Sequence, residues 1–340
     1  MRDDERRALE AVSFDWAPTP SRVWQPPEAH VTGLNEPVYR LIKGAFRDAG
    51  RAEEQSPLGI VVEGEPGSGK THLLSWTRKH VQEQGGYFLL AGLTRGREFW
   101  PDIVHTFIQD LNRTGEPGTS TQLQLMLERL ADRAGVDQET RDRVTGRIAL
   151  TPPALNTFER AVRRLLPGSG RDLAAVLRAL TMMAADDADL RDIGEGYLRS
   201  RLDDATREWA VWRLTVQPVE PRETAELISQ ILAQTGPAVL AFDQIDTIFA
   251  QSRRSDSDDS VLAPLADQLG SGLMDIRQVL RRTVLLVACL SRSWDLIQEH
   301  AVGSVPDRFR RETQCPAPSL METSKPGRRS SDGGTEEVPR

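Results

Sequence analysis

The apolar residues of this chain fall either into short continuous runs or into stripes with helical spacing. Runs without polar alternation predict strands that are buried on both faces, as in a parallel sheet. These runs are residues 58–62, 87–90, 238–242 and 283–290. The helical stripes that neighbour them are residues 38–49, 71–84, 98–111 and 221–234. Strands that alternate with helices predict an α/β fold with a central parallel sheet.

The middle of the chain, residues 117–215, has no strand pattern and predicts a large all-helical insertion, called the helical insertion below. Its predicted helices are residues 122–133, 153–166, 172–184 and 190–212. The helical insertion divides the α/β core into a first part, residues 31–116, and a second part, residues 216–312. Within the second part, the polar segment 251–260 is predicted to be a loop between the last two strands.

The two ends of the chain differ from the core in composition. Residues 1–30 combine charge with four prolines and several aromatic residues, which predicts an extended arm that docks its aromatics on the core. Residues 313–340 are rich in Pro, Ser, Gly and charge, which predicts a disordered tail. Because low complexity begins soon after Arg311, the polypeptide is expected to be truncated or shifted in reading frame at this end.

Composition narrows the class of protein. The chain has 340 residues and a net charge of −7, so it lacks an overall positive field, and DNA binding would need a local basic face. Its two cysteines, Cys289 and Cys315, form neither a disulfide framework nor a zinc site, which favours the reducing cytoplasm. The longest apolar run, 284–290, is too short to span a bilayer, and the charged N-terminus does not predict a signal peptide.

One segment carries a clear chemical signature. Gly64, Gly69, Lys70 and Thr71 match the phosphate-binding pattern G-x-x-x-x-G-K-[ST], between a predicted strand and a predicted helix. Glycines let successive amides turn toward an anion, and the helix N-terminus adds positive potential. We expect Lys70 to reach the β- and γ-phosphates of ATP and Thr71 to bind Mg²⁺; the alternative is a glycine-rich turn with an incidental lysine. The predicted nucleotide contacts here are Gly64, Glu65, Pro66, Gly67, Ser68, Gly69, Lys70, Thr71 and His72.

A phosphate-binding loop of this kind needs a carboxylate at the end of a neighbouring buried strand. Asp243 follows the run 238–242 and is predicted to hold Mg²⁺ together with Thr71, although a strand-end capping role is the alternative. The next residue, Gln244, cannot act as a general base but could orient a water molecule. Asp246 is the other candidate carboxylate. The prediction therefore leaves open whether hydrolysis is efficient.

Two further candidates follow the last predicted strand. Ser291 or Ser293 could hydrogen-bond the γ-phosphate, whereas serines after a strand are also common turn formers. Arg308, within the arginine-rich segment 305–311, could act as an arginine finger that reaches the nucleotide of a neighbouring subunit. The alternative for this segment is a solvated basic helix end.

Taken in order, these motifs resemble the AAA+ and STAND group of P-loop ATPases, and within it the origin-recognition-like branch and bacterial ATPases of phage-defence systems. The matching segments are 30–33, 64–71, 243–246, Ser291 and 307–310. The resemblance implies a three-layer core with strand order 5-1-4-3-2 and ATP between the sheet and a helical lid, with Val31 and Gly33 beside the adenine. It also implies nucleotide-gated switching and frequent self-association. Gln244 departs from the usual glutamate, and the chain is expected to lack the fifth strand and the lid.

The leading functional expectation is a cytoplasmic ATPase that couples binding and hydrolysis of Mg²⁺–ATP to a conformational change in a partner complex, DNA-associated or acting in phage defence. The alternative is an ATP-binding switch that hydrolyses little or nothing and whose helical insertion binds a protein partner. A small-molecule kinase ranks third, because such enzymes usually lack a buried strand ending in Asp-x-x-Asp and followed by another buried strand. No membrane partner is expected.

Overall fold

The structure is a computed structural model that describes residues 20–25, 35–52, 56, 59–92, 99–114, 119–168, 170–201, 210–214, 217–255, 262–300 and 309–313. At its centre lies a five-stranded sheet in which all neighbouring strands are parallel. The strands are β1 (Gly59–Glu63), β2 (Tyr87–Ala91), β3 (Ala238–Phe242), β4 (Thr283–Cys289) and β5 (Phe309–Thr313). Their spatial order is β2-β3-β4-β1-β5, which, counted from the other edge, is the order 5-1-4-3-2.

Helices cover both faces of this sheet, so the α/β architecture has three layers. In chain order the described helices, which include those of the helical insertion, are α1 (Glu36–Arg51), α2 (Lys70–Glu83), α3 (Phe99–Leu111), α4 (Gln122–Ala134), α5 (Gln138–Val144), α6 (Pro152–Leu165), α7 (Arg171–Met183), α8 (Ala188–Leu198), α9 (Pro221–Ala233), α10 (Ile245–Ser255), α11 (Leu262–Val279) and α12 (Ser291–His300). In β1, Ile60 and Val62 face the layer of α1 and α2, whereas Val61 faces the layer that contains α3, α9 and α11. This alternation along the strands builds the two apolar layers.

Two regions of the core differ from the predicted pattern. The predicted loop 251–260 is wrong in its first half, because α10 continues to Ser255. Helix α11, 18 residues long, was not predicted. Its Gly-Ser-Gly step at 270–272 has low helix propensity, yet Gly272 lies where a β-carbon would stand 2.7 Å from the Phe99 ring. Close packing therefore favours a glycine that helix propensity alone would exclude.

The second difference is β5, which corrects the expectation that the chain lacks a fifth strand. Residues 309–313 read Phe-Arg-Arg-Glu-Thr, so no apolar run marks them as a strand. They pair in parallel with β1, in a register that sets Phe309 opposite Gly59. The Phe309 ring occupies the space that a side chain at residue 59 would need, and it packs edge-on against Trp294. Tertiary packing thus creates a strand that sequence periodicity does not reveal.

The helical insertion shares one apolar core with the sheet rather than standing apart. Gln122, the first residue of α4, hydrogen-bonds the backbone of the edge strand β2 with its side-chain amide. Its Oε1 accepts from Phe88 N and its Nε2 donates to Phe88 O, both at 2.9 Å. Asp110 Oδ2 accepts from Leu90 N at 2.7 Å. These side chains cover backbone groups that an edge strand would otherwise expose. The single helix predicted for 190–212 is wrong in length, because α8 ends at Leu198.

Of the predicted N-terminal arm, the structure describes residues 20–25, which form a 3-10 helix and one following residue on the surface of α2. Arg78, a buried residue of α2, donates from Nε to Val23 O at 2.9 Å and from Nη2 to Gln25 O at 3.1 Å. Trp24 packs edge-on against Phe88. The rest of the arm and the tail 314–340 lie outside the described residues. Across the described helices, none combines the length and the apolar character needed to cross a bilayer.

Candidate functional site

The candidate site lies where β1, β3 and β4 end, at the carboxyl edge of the parallel sheet. Gly64 follows β1, Asp243 follows β3 and Leu290 follows β4. Gly64 N donates to Cys289 O at 3.2 Å, which joins the start of the glycine-rich segment to the end of β4. Open parallel sheets bind ligands at this edge, because loops from non-adjacent parts of the sequence meet there.

Residues 64–69 form a tight loop between β1 and α2, and Lys70 and Thr71 begin the helix. Gly67 and Gly69 have φ values of 81° and 91°, in the left-handed region that residues with a side chain rarely adopt. Gly69 is the N-cap of α2, which has no side-chain cap and no acidic residue in its first turn. The first hydrogen bond into the helix runs from Leu73 N to Gly69 O. The backbone amides that precede Leu73 therefore lie at an open helix N-terminus, where the helix dipole favours an anion.

Two polar side chains of this loop fit an anion. Lys70 Nζ donates to the loop carbonyls of Gly64 at 2.6 Å and Glu65 at 3.1 Å, so the ammonium is held against the first two residues of the loop. The Ser68 hydroxyl is buried and has no hydrogen-bond partner among the described residues. A buried hydroxyl without a partner is costly. A phosphate in the loop would supply an acceptor to Ser68 and to Lys70. The exposed rim consists of Glu65, Pro66 and Gly67.

Asp243 meets Thr71 across 172 residues of sequence. Thr71 Oγ1 donates to Asp243 Oδ2 at 3.5 Å, a long hydrogen bond between the first turn of α2 and the end of β3. Burial raises the pKa of Asp243, and the Asp246 charge adds to this; the Gln244 amide, the Lys70 charge and the Thr71 hydroxyl oppose it. A hydroxyl and a buried carboxylate at the open end of the loop are the oxygen ligands that Mg²⁺ prefers. His72 follows Thr71 in the same helical turn.

Gln244 and Asp246 differ in how they are held. Gln244 has a left-handed φ of 61°, an uncommon conformation for a residue with a side chain. Its carbonyl accepts from the amide and the hydroxyl of Thr247, which fixes the turn into α10. Asp246 Oδ1 accepts from Leu290 N at 2.9 Å, so this carboxylate is engaged with the end of β4. The sequence pattern suggested Asp246 as a second carboxylate for the reaction, but it did not reveal this hydrogen bond.

Ser291 is the first residue of α12, beside the Leu290 amide that Asp246 accepts from, and it is half-buried. Ser293, the other candidate, is buried within the first turn of α12. The predictions for Val31, Gly33 and Arg308 fall on residues outside those that the structure describes. The loop residues, Asp243, Gln244, Asp246 and Ser291 thus share one edge of the sheet.

A pocket of about 480 Å³ adjoins this edge, between α10 and α12. Most of its lining residues were not singled out in the sequence. The signal that could have found them is their helical spacing, because five of them lie on one side of α12. The lining residues are Asp246, Phe249, Ala250, Arg292, Ser293, Asp295, Leu296 and Glu299.

Within the described ranges, no group of three or more His, Cys, Asp or Glu side chains could hold a metal ion by itself. A Mg²⁺ ion here would depend on Thr71, Asp243 and the oxygens of a bound phosphate, which is how Mg²⁺ is commonly held in nucleotide sites. Comparison with known proteins adds no assignment. No protein-family model, no curated protein and no solved structure matches this chain.

Proposed function

We propose that this chain is a P-loop ATPase of the AAA+/STAND type, which binds Mg²⁺–ATP and uses its hydrolysis to change the conformation of a partner complex. The observation that carries the proposal is the meeting of a glycine-rich loop, whose lysine donates to the loop carbonyls, with a buried aspartate at the end of a distant strand. The sheet order, with β4 between β1 and β3, supports the same family. A DNA-associated or phage-defence partner follows from the resemblance alone.

In this proposal, each residue of the site has a separate task. The loop amides and the Ser68 hydroxyl bind phosphate oxygens, and Lys70 neutralises charge on the β- and γ-phosphates. Thr71 and Asp243 hold Mg²⁺, which when bound stabilises negative charge on the phosphates. Gln244 orients a water molecule through its amide, because it cannot accept a proton as a glutamate would.

A second function, an ATP-binding switch with little or no hydrolysis, is favoured by a specific observation. Gln244 cannot act as a base, and the Asp246 carboxylate already accepts from Leu290 N. Gln244 thus lacks a carboxylate, and Asp246 has one of its two carboxylate oxygens occupied by a structural hydrogen bond, which disfavours efficient activation of water. In this case the energy of ATP binding, rather than hydrolysis, would drive the conformational change, and the helical insertion would provide the surface that binds a protein partner.

Binding of nucleotide tests the shared core of both functions. Wild-type protein should bind ATP in a Mg²⁺-dependent manner, measured by isothermal titration calorimetry. Lys70→Ala should weaken binding by at least about tenfold, the size of one lost charge-assisted hydrogen bond. Lys79→Ala is the matched control, because Lys79 lies in the same helix but is exposed and pairs only at 3.9 Å with Glu83. Equal affinities for wild type and Lys70→Ala would refute the site.

Phosphate release then separates the enzyme from the switch. Steady turnover that disappears in Asp243→Asn supports the ATPase, whereas tight ATP binding without turnover supports the switch. Gln244→Glu adds the missing carboxylate and should raise turnover if residue 244 limits the reaction. If Gln244→Glu leaves the rate unchanged, the limit lies elsewhere in the site.

A further inference from the structure

The pocket between α10 and α12 lies beside the candidate site, and the proposed function gives most of it no task. Its lining comes from positions 246, 249 and 250 of α10 and mainly from positions 292, 295, 296 and 299 of α12. This spacing of three and four residues means that each helix presents one face to the pocket. The volume of about 480 Å³ falls within the range that is typical of ligand pockets. The pocket is therefore a candidate binding site in its own right.

The floor of this pocket is apolar, apart from one hydroxyl. Phe249 is 4 % exposed and Leu296 is half-buried. Ser293 also lines the pocket and is only 3 % exposed, and its hydroxyl has no hydrogen bond among the described residues. A buried hydroxyl without a partner is costly. The floor thus fits an apolar side chain together with a polar group, such as the peptide group of an occupant.

The charges of the lining favour a cation. The lining contains three carboxylates, of the half-buried Asp246 and the exposed Asp295 and Glu299, and one guanidinium, of the exposed Arg292. Asp246 Oδ1 accepts from Leu290 N, whereas its Oδ2 has no hydrogen bond within the part of the chain that the structure describes. Glu299 likewise has no ion pair with any described residue. At least two carboxylates of the pocket can therefore accept from an occupant.

We propose that this pocket binds an arginine-bearing segment of a partner protein, with an apolar side chain on the floor and the guanidinium among the carboxylates. Arginine suits this combination because its stem is apolar and its planar head donates paired hydrogen bonds to carboxylates. The guanidinium is received by protein carboxylates and not by a nucleotide. The inference goes beyond the proposed function, since it names the chemistry of the partner and needs no bound ATP.

A blocked dipeptide tests the chemistry of the pocket. Acetyl-leucyl-arginine amide, titrated into nucleotide-free protein and followed by NMR, should bind and shift the amide signals of Phe249 and Leu296. Acetyl-leucyl-glutamine amide lacks the charge, and agmatine has the guanidinium but lacks the apolar residue. Each should bind at least about tenfold more weakly than the arginine dipeptide, because each loses one of the two interactions.

Substitutions in the lining should change the affinity for the arginine dipeptide in opposite directions. Glu299→Gln should weaken binding about threefold to fivefold, whereas Arg292→Gln should strengthen it about twofold, because a like charge is removed. Ala250→Trp fills the pocket from an exposed position and should abolish binding. Glu83→Gln is the matched control, because Glu83 is also an exposed glutamate near the end of a helix, and it should bind as wild type does.

Several results would overturn the inference. If the glutamine dipeptide binds as tightly as the arginine dipeptide, or if Arg292→Gln weakens binding, charge does not select the occupant. Equal binding of agmatine would make the pocket a site for small cations. Sedimentation of the protein alone tests another occupant: self-association that Ala250→Trp abolishes would identify a second copy of this chain. Because the titrations omit nucleotide, dipeptide binding without ATP binding refutes only the proposed function, and the reverse result refutes only this inference.

Discussion

Asp110 offers the sharpest test of the energetics of this fold. The residue is 3 % exposed, and its Oδ2 accepts from Leu90 N and its Oδ1 from Arg113 Nε at 2.8 Å. Burial raises the pKa of Asp110 to about 6 from 3.8, against the opposing effects of the Leu90 amide and Arg113. A difference of about two pKa units corresponds to about 3 kcal/mol, by which the fold disfavours the ionised carboxylate.

The direction of the pH dependence follows from the raised pKa. Between about pH 4 and 6 the folded protein binds the Asp110 proton more tightly than the unfolded chain does, so this group makes the fold more stable as the pH falls. Above pH 6 the full cost of the buried charge is present. Asp110→Asn keeps an oxygen for Leu90 N and removes the charge. It loses the ion pair with Arg113, whose side chain is 43 % exposed, and that pair contributes only about 0–1 kcal/mol.

Urea unfolding of wild type and Asp110→Asn, followed by circular dichroism at several pH values, checks this reasoning. At pH 7.5 the variant should be the more stable by about 2 kcal/mol, and the difference should vanish near pH 4. Using the difference between the two proteins cancels the titration of all other groups. Asp132→Asn is the control, because the Asp132 side chain is 52 % exposed and pairs with Arg141, so removing its charge should not stabilise the protein at pH 7.5. A variant less stable than wild type at pH 7.5, with no change toward pH 4, would refute the raised pKa.

Two more predictions concern packing of the helical insertion, each measured by urea unfolding at pH 7.5. In α8, Gly194→Ala should lower the free energy of unfolding by about 1–3 kcal/mol, because the new β-carbon would lie 2.5 Å from Ala179 O. Gly196→Ala in the same helix should raise it by about 0.5–1 kcal/mol, because the space beside Gly196 is open. Changes of the same sign for both variants would contradict the close helix contact at Gly194. Gln122→Ala should lower the free energy of unfolding by about 3 kcal/mol, because the amide and carbonyl of Phe88 lose their side-chain partner. The control is Gln138→Ala, at an exposed glutamine. If both variants lose the same stability, Gln122 does not stabilise β2.

Most of the α/β core could be predicted from hydrophobic periodicity. The predicted strand 238–242 coincides with β3, and the predicted start of the helix after the glycine-rich loop lies within one residue of α2. The pattern was insufficient where packing overrides local preference. Helix α11 has apolar residues at helical spacing, but its Gly-Ser-Gly step, of which Gly272 lies against Phe99, lowers its helix propensity. Strand β5 has one apolar residue and therefore carries no local signal of a strand.

For the candidate site too, some residues could be predicted from the sequence and others could not. Gly64, Lys70 and Thr71 were recognisable because a phosphate-binding loop is contiguous and its spacing follows from local backbone geometry. The hydrogen bond of Asp246 to Leu290 was not, because nothing in either segment indicates the other. The pocket residues of α12 were likewise not recognisable, because only the folded structure brings α10 and α12 to the same pocket.

The alternation of buried strands and helices and the glycine-rich loop could be inferred from the chain alone, since both depend on residues close together in sequence. The resemblance to a known family also implied the strand order and a shared place for Thr71 and Asp243, and the structure has that order and that contact. The strand formed by residues 309–313 and the hydrogen bond between Asp246 and the Leu290 amide appear only in the folded chain. They join residues far apart in sequence and form because the sheet brings the strand ends together, not because of any local preference.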